Sequence, residues 1–173
     1  MSNLGWLPGE DIPKLLSGVV APVGIEVGTA QGFTTKYLLE MIPDLKLYGI
    51  DPYMNYRDWD GLYIEQEQRL IEFLAKVSPF GERYTHIYKM SDNATANFED
   101  GLMDFVFIDG EHTYAQVTSD CKNYWPKVKS GGLLIGHDYT AIREVFRAVN
   151  DFAARENLTI SQANQDLWYV IKQ

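Results

Sequence analysis

Apolar positions recur along this chain in two rhythms, one helical and one strand-like, and their alternation predicts a succession of β-α units. Ile12, Leu15, Leu16 and Val19 fall at helical spacing in 11–19, with Pro13 tolerated in a first turn, so a short covering helix is expected there. Val23–Val27 is an apolar strand pattern that breaks into glycines and small residues up to Gly32. The next helix places Phe33, Tyr37, Leu38 and Met41 on one face and ends at Pro43. LKLYGID, at 45–51, predicts a second strand that closes on an acid. Segment 53–63 interrupts the alternation, setting Tyr53, Tyr56, Trp59 and Tyr63 among polar residues. Those rings either tuck a surface loop against the core or form a lid over bound ligand. Leu70, Ile71, Leu74 and Val77 make the apolar stripe of a helix over 62–77. A third strand follows at 84–89 and a short capped helix at 91–98.

The fourth strand, 102–109, holds FVFI, continuously apolar as in a strand covered on both faces. A helix over 113–128 puts Tyr114, Val117, Cys121, Tyr124 and Trp125 on one side, and Ser130, Gly131 and Gly132 then turn the chain into LLIGHD, the fifth strand. Ile142, Val145, Phe146, Val149 and Phe152 are expected to be buried by a helix over 140–156. Two last strand patterns, 158–162 and 167–171, are separated by only four residues and predict an antiparallel hairpin. The expected fold class is α/β: a three-layer αβα sandwich around a seven-stranded, mostly parallel sheet, forming one domain over 1–173.

Composition narrows the possible partners. The formal charge is −9 with Lys and Arg scattered, which repels nucleic acid and anionic bilayers and favours a divalent cation. No apolar run reaches membrane-spanning length and no basic start leads into an apolar stretch, so a cytoplasmic location is expected. The single cysteine, Cys121, excludes a disulfide within the chain and reads as a core thiol.

The candidate chemistry gathers at strand ends. Gly28 and Gly32 permit positive φ and close backbone approach, and the free N–H groups of the following helix point into the same space. Glu26 beside this turn suits a hydroxyl or ammonium group better than a phosphate. A dinucleotide fold wants G-x-G-x-x-G, whereas this turn reads G-T-A-Q-G, with Thr29 where the second glycine belongs, so pyrophosphate binding is disfavoured. Asp51 stands about twenty residues past the turn, where a carboxylate can accept both hydroxyls of a ribose. Asp109 closes the fourth strand, and His137 and Asp138 the fifth. Several acids on one rim suggest a site, although any single one could be a helix N-cap. His86 lies inside a predicted strand without an acidic neighbour and reads as structural.

IEVGTAQGFTT, GIDPY, DFVFIDGEHTYAQVTSD and GGLLIGHDY, in that order, resemble the class I S-adenosylmethionine-dependent methyltransferases. Within them the chain is most similar to the small metal-dependent group related to macrocin-type sugar O-methyltransferases. The resemblance spans nearly the whole chain and implies a Rossmann-like sandwich. It also implies that Glu26, Gly28, Thr29 and Gly32 border the methionine part of S-adenosylmethionine. Asp51, with Pro52 beside it, would hold the ribose; Ser91 and Asp92 would lie near the adenine, and Asp109 would border the cofactor as well. Asp109 and Asp138 match positions that hold magnesium in relatives, and His112 matches a general base. For His137 the readings are third ligand, support of the ligands, or plain strand-end residue. For His112 the alternative is a loop histidine capping the helix near Thr113.

The implied activity is O-methylation of a hydroxyl on a sugar or other small-molecule substrate, with S-adenosylmethionine and Mg2+ or another divalent cation. One alternative is a non-catalytic module that binds the cofactor. Another is a metal-dependent oxygenase or hydrolase built on His112, His137 and one aspartate. A homo-oligomer is open, because the aromatic segment could pack on a second chain.

Overall fold

The computed structural model describes residues 7–57, 63–164 and 166–173, with backbone alone for 56, 57, 63 and 64. In chain order the elements are α1 (Ile12–Leu15), β1 (Val23–Val27), α2 (Phe33–Met41), β2 (Lys46–Ile50), β3 (Tyr56–Arg57), β4 (Tyr63–Ile64) and α3 (Glu67–Val77). They continue as β5 (Tyr84–Ile87), α4 (Ser91–Ala94), β6 (Met103–Ile108), α5 (Tyr114–Tyr124), β7 (Val128–Gly136), α6 (Arg143–Glu156), β8 (Ser161–Gln162) and β9 (Trp168–Ile171).

Seven strands form one sheet in the order β5-β2-β1-β6-β7-β9-β8. The first five are parallel, β9 runs antiparallel to β7, and β8 runs antiparallel to β9. The expected mostly parallel sheet with a terminal antiparallel hairpin is therefore present. From β1 the chain winds outward through β2 and β5, then crosses back to place β6 on the other side of β1. Between β1 and β6 the winding reverses, which opens a crevice at the carboxyl ends of the strands.

β6 shows why the core has two sides. All six of its residues are buried, and they alternate. Val106 and Ile108 join Ile25, Val117, Cys121, Tyr124 and Val149 beneath α5 and α6. Phe105 and Phe107 join Ile12, Leu38, Leu39 and Leu47 beneath α1 and α2. Cys121 is a buried free thiol, as expected. Among the described residues no helix is long and apolar enough to cross a membrane.

Several expectations require correction. α2 buries Thr34, Thr35, Leu38 and Leu39, while Phe33 and Met41 are exposed. α3 begins at Glu67 and buries Phe73 and Val77, leaving Ile71 and Leu74 in solvent. Phe146 is also exposed, packing its ring on Tyr139 at the surface. β7 starts at Val128, ahead of the glycine pair: Met103 pairs with Val128 but Phe105 with Leu133, so 129–132 form a bulge within the strand. Of 158–162 only Ser161–Gln162 is strand. Segment 53–63 includes the small β3–β4 antiparallel ladder. Trp59 and the side chains of Tyr56 and Tyr63 lie outside the described residues.

Candidate active site

β1 carries Glu26 into the crevice and ends one residue later. Gly28 follows at φ +87°, and a Cβ built there would stand 2.3 Å from the carbonyl oxygen of Asp109. Only glycine lets the turn lie this closely on the end of β6. Gly28 N–H donates to Ile50 O at 2.9 Å and Asp109 N–H to Val27 O at 2.8 Å, tying three strand ends together. Gly32, at φ +75°, is the left-handed entry to α2. Glu26 is 1 % exposed and accepts a 2.6 Å hydrogen bond from Thr35 Oγ1. Burial pushes its carboxyl up to about 8 against the Thr35 bond, and the charges of Asp109 and Asp51 add to the rise.

Asp51 emerges directly after β2. Its Oδ2 accepts from the backbone N–H groups of Thr29 (3.2 Å) and Ala30 (3.1 Å), and its Oδ1 from Tyr53 N–H (3.0 Å). Tyr53 then reaches back over the turn. Its hydroxyl donates to Ala30 O at 2.6 Å and lies 3.0 Å from Thr29 Oγ1. Ala30 and Tyr53 both hold left-handed φ, +41° and +46°, a conformation that side chains resist. Pro52 lies between Asp51 and this residue. His86, from β5, sets Nε2 3.0 Å from Asp51 O and Nδ1 2.9 Å from the Tyr84 hydroxyl. Burial lowers the His86 pKa, against the bond to Asp51, which favours the charged ring.

Ser91 and Asp92 open α4 and turn toward α5. Ser91 Oγ accepts from Gln116 Nε2 at 2.9 Å, and Asp92 Oδ1 accepts from Ser119 Oγ (2.6 Å) and Asn123 Nδ2 (3.0 Å). Behind them Asp120 is fully buried, accepts from Gln116 Nε2 at 3.1 Å, and is pushed up to about 6 by burial. Its place on a helix of mixed polarity gave no sign of this. Nor did the alternating pattern of β5 mark His86 as a partner of Asp51.

Across the crevice, Asp109 follows β6 and His137 and Asp138 follow β7, neighbours because Ile108 pairs with Gly136. Asp109, His137 and Asp138 each offer a ligand atom, and these lie within 4.8 Å of one another. His112 Nε2 stands 2.9 Å from Asp138 Oδ2 and 3.7 Å from Asp109 Oδ1. His137 Nδ1 stands 3.2 and 3.6 Å from the same two oxygens. Asp138 holds φ +58°, and its Oδ2 faces both histidines. Contact with Asp109, and then with Asp138, raises His112 to about 9 despite burial. Burial works against the charged form of His137, yet the same aspartates raise it to about 9 as well. Burial disfavours the Asp138 carboxylate, but His112 and His137 outweigh it and hold the group far below the usual range. Two acids and two imidazoles thus form one strongly coupled unit.

Residues 25–139 of this chain, which include Glu26, the glycine turn, Asp51, Asp109, His112, His137 and Asp138, match the Methyltransferase domain family. An uncharacterized protein of Acanthamoeba polyphaga mimivirus is 31% identical over 137 residues, which is 75% of this chain and 58% of that protein. The chain thus spans somewhat more than half the length of this relative. Its fold is similar to that of a Staphylococcus aureus protein assigned as a caffeoyl-CoA O-methyltransferase, with TM-score 0.72 and 19% identity over 99% of this chain and 86% of the other. A Streptococcus mutans protein solved in complex with SAH is similar at TM-score 0.70 and 18% identity, over 98% of this chain and all of the other. At such identities these structures speak for the fold alone. With the family match covering most of the chain and the sheet carrying the same architecture, the chain belongs to the class I S-adenosylmethionine-dependent methyltransferases.

Proposed function

We propose that this methyltransferase transfers the methyl group of S-adenosylmethionine to a hydroxyl of a sugar or other small polar metabolite, assisted by a divalent cation. The observation that carries the reading is the cluster of Asp109, His137 and Asp138, with His112 against it, on the same strand-end rim as Glu26, the glycine turn and Asp51. The donor set suits a cation. Two carboxylates match a hard ion such as Mg2+, and an imidazole alongside them extends the fit to a first-row ion such as Mn2+. His112 Nε2 is sealed from solvent and makes no aligned hydrogen bond, although a carboxylate oxygen is 2.9 Å away.

Asp109 and Asp138 would hold the ion, with His137 as a third ligand. The bound cation would lower the pKa of the acceptor hydroxyl and fix its direction. The protein's own residues do the rest. Glu26 and Asp51 compensate the ammonium and accept the ribose hydroxyls, the glycine turn admits the methionine chain, and Ser91 and Asp92 lie on the adenine side. His112 accepts the hydroxyl proton as the oxygen attacks the methyl carbon in line with the leaving sulfur. The two aspartates hold His112 protonated, so it becomes a base only when another positive charge takes its place beside them.

Calorimetric titration with S-adenosylmethionine, with and without Mn2+, tests the cofactor, and release of S-adenosylhomocysteine over a panel of hydroxylated acceptors tests the transfer. Asp138→Asn is expected to lower turnover by at least about 100-fold while cofactor affinity stays within about threefold. Absence of cofactor binding by folded, ligand-free protein would overturn the reading. Turnover unchanged in Asp138→Asn would remove the cation from it.

A further inference from the structure

Asp51 is held twice, once by its carboxylate and once by its main chain. Two of the N–H groups on the carboxylate, from Thr29 and Ala30, come from the glycine turn, and the third comes from Tyr53, just beyond Asp51. The main-chain carbonyl has a harder problem. β2 ends at Ile50, and Asp51 is followed by Pro52, so the Asp51–Pro52 peptide has no N–H through which a sheet ladder could fix its plane. His86 Nε2, 3.0 Å from that carbonyl, supplies the missing contact from the neighbouring strand.

The chemistry of the partners sets the tautomer. A carbonyl oxygen only accepts, so Nε2 carries the proton, and Nδ1 of the neutral ring is left to accept from the Tyr84 hydroxyl at 2.9 Å. The ring is boxed by Phe73 (centroids 4.9 Å apart), Tyr53 (5.4 Å) and Tyr88 (4.2 Å), so it has little freedom to turn. Tyr84 is fixed in turn against Gly49, where any Cβ would stand 1.8 Å from its hydroxyl oxygen.

We infer that His86 is a positioning residue for the nucleoside: its Nε2–H, oriented by Tyr84, fixes the Asp51–Pro52 peptide and so aims the Asp51 carboxylate at the cofactor's ribose. This deepens the proposed function and rests on it. His86 touches neither the methyl group nor the acceptor, so its effect belongs to cofactor binding and not to the transfer step.

The test is S-adenosylmethionine affinity, measured by calorimetry, in His86→Phe, His86→Gln, Tyr84→Phe and in each crossed with Asp51→Asn. His86→Phe keeps a ring in the box but removes the donor, and affinity is expected to fall about five- to tenfold, the worth of one hydrogen bond. His86→Gln returns an N–H near the same place and restores most of the loss. In the Asp51→Asn background the effect of His86→Phe shrinks, because residues that act through one another are not additive. Tyr84→Phe, the milder variant, weakens binding about two- to fivefold and keeps the assay informative if the Phe variant unfolds. Wild-type affinity in His86→Phe, no rescue by His86→Gln, or equal losses in both backgrounds would each overturn the inference. Failure of the wild-type protein itself to bind the cofactor would instead sink the proposed function, and this inference with it.

Discussion

Glu26 is held far from its usual ionised form. Its carboxyl sits near 8 in the folded chain against 4.5 ordinarily. Between those pH values the unfolded chain is ionised and the folded chain holds a proton, so stability falls as pH rises from about 4.5 to 8. Glu26→Gln removes that slope. Denaturant titrations at pH 5 and pH 8 should show the variant gaining on wild type by roughly 1–4 kcal/mol at the higher pH, and parallel curves would show that Glu26 ionises normally. A buried neutral acid must also lose its proton to meet an ammonium group. Calorimetry at pH 7 in buffers of different ionisation enthalpy should therefore report release of about one proton per cofactor bound, lost in Glu26→Gln. Neither property was legible in the sequence. Glu26 could be named as an acid at a strand end, but its pKa depends on α2 closing over it with Thr35, a tertiary event.

At the scale of elements, the glycine turn gives the sharpest contrast. Gly28 and Gly101 both hold positive φ, but a side chain at Gly28 would strike the Asp109 carbonyl at 2.3 Å, whereas at Gly101 it would meet nothing within 4 Å. Gly28→Ala should cost about 2–4 kcal/mol and abolish cofactor binding, while Gly101→Ala should cost only about 1 kcal/mol and leave binding intact. Thermal melts with and without S-adenosylmethionine separate the two. Phe73→Ala, in the fully buried face of α3, should cost about 3–5 kcal/mol by the same measurement.

The strands were legible because burial on both faces leaves a continuous apolar run, as in β6. The helix faces were less so. Phe33, Met41, Ile71, Leu74 and Phe146 satisfy the helical period yet lie exposed: each buried face keeps one residue of the expected stripe, Leu38 in α2 and Val77 in α3, but is rotated to take in Thr34, Thr35 and Leu39 or Phe73. Period identifies a helix; it does not choose between two adjacent stripes when both contain apolar residues. Convergence of Asp109, His137 and Asp138 could be anticipated from strand ends, and His112 beside them from the family resemblance. The bond from His86 to Asp51 could not, since it depends on the sideways register of β2 with β5.

For the molecule as a whole, charge and topology act together. A cation approaching the Asp109–Asp138 rim meets the field of a chain with net charge −9. Mn2+ affinity should therefore weaken several-fold between about 20 and 200 mM NaCl, beyond any effect on a neutral ligand, as the Debye length shrinks. Salt-independent binding would place the ion away from this field.

The pairing of β1 with β6 has a consequence for synthesis. Gly24 lies beside Phe105 and Val27 beside Ile108, so β1 waits for a partner made only after α2, β2, α3, β5 and α4. A chain emerging from the ribosome carries its glycine turn in water, with the Asp109 backbone that seats it still unmade. Binding competence therefore arrives late and abruptly, after β6 and β7 have left the exit tunnel, and not in instalments. Arrested nascent chains of increasing length, probed with immobilised S-adenosylhomocysteine, should pass from no capture to full capture across that one interval.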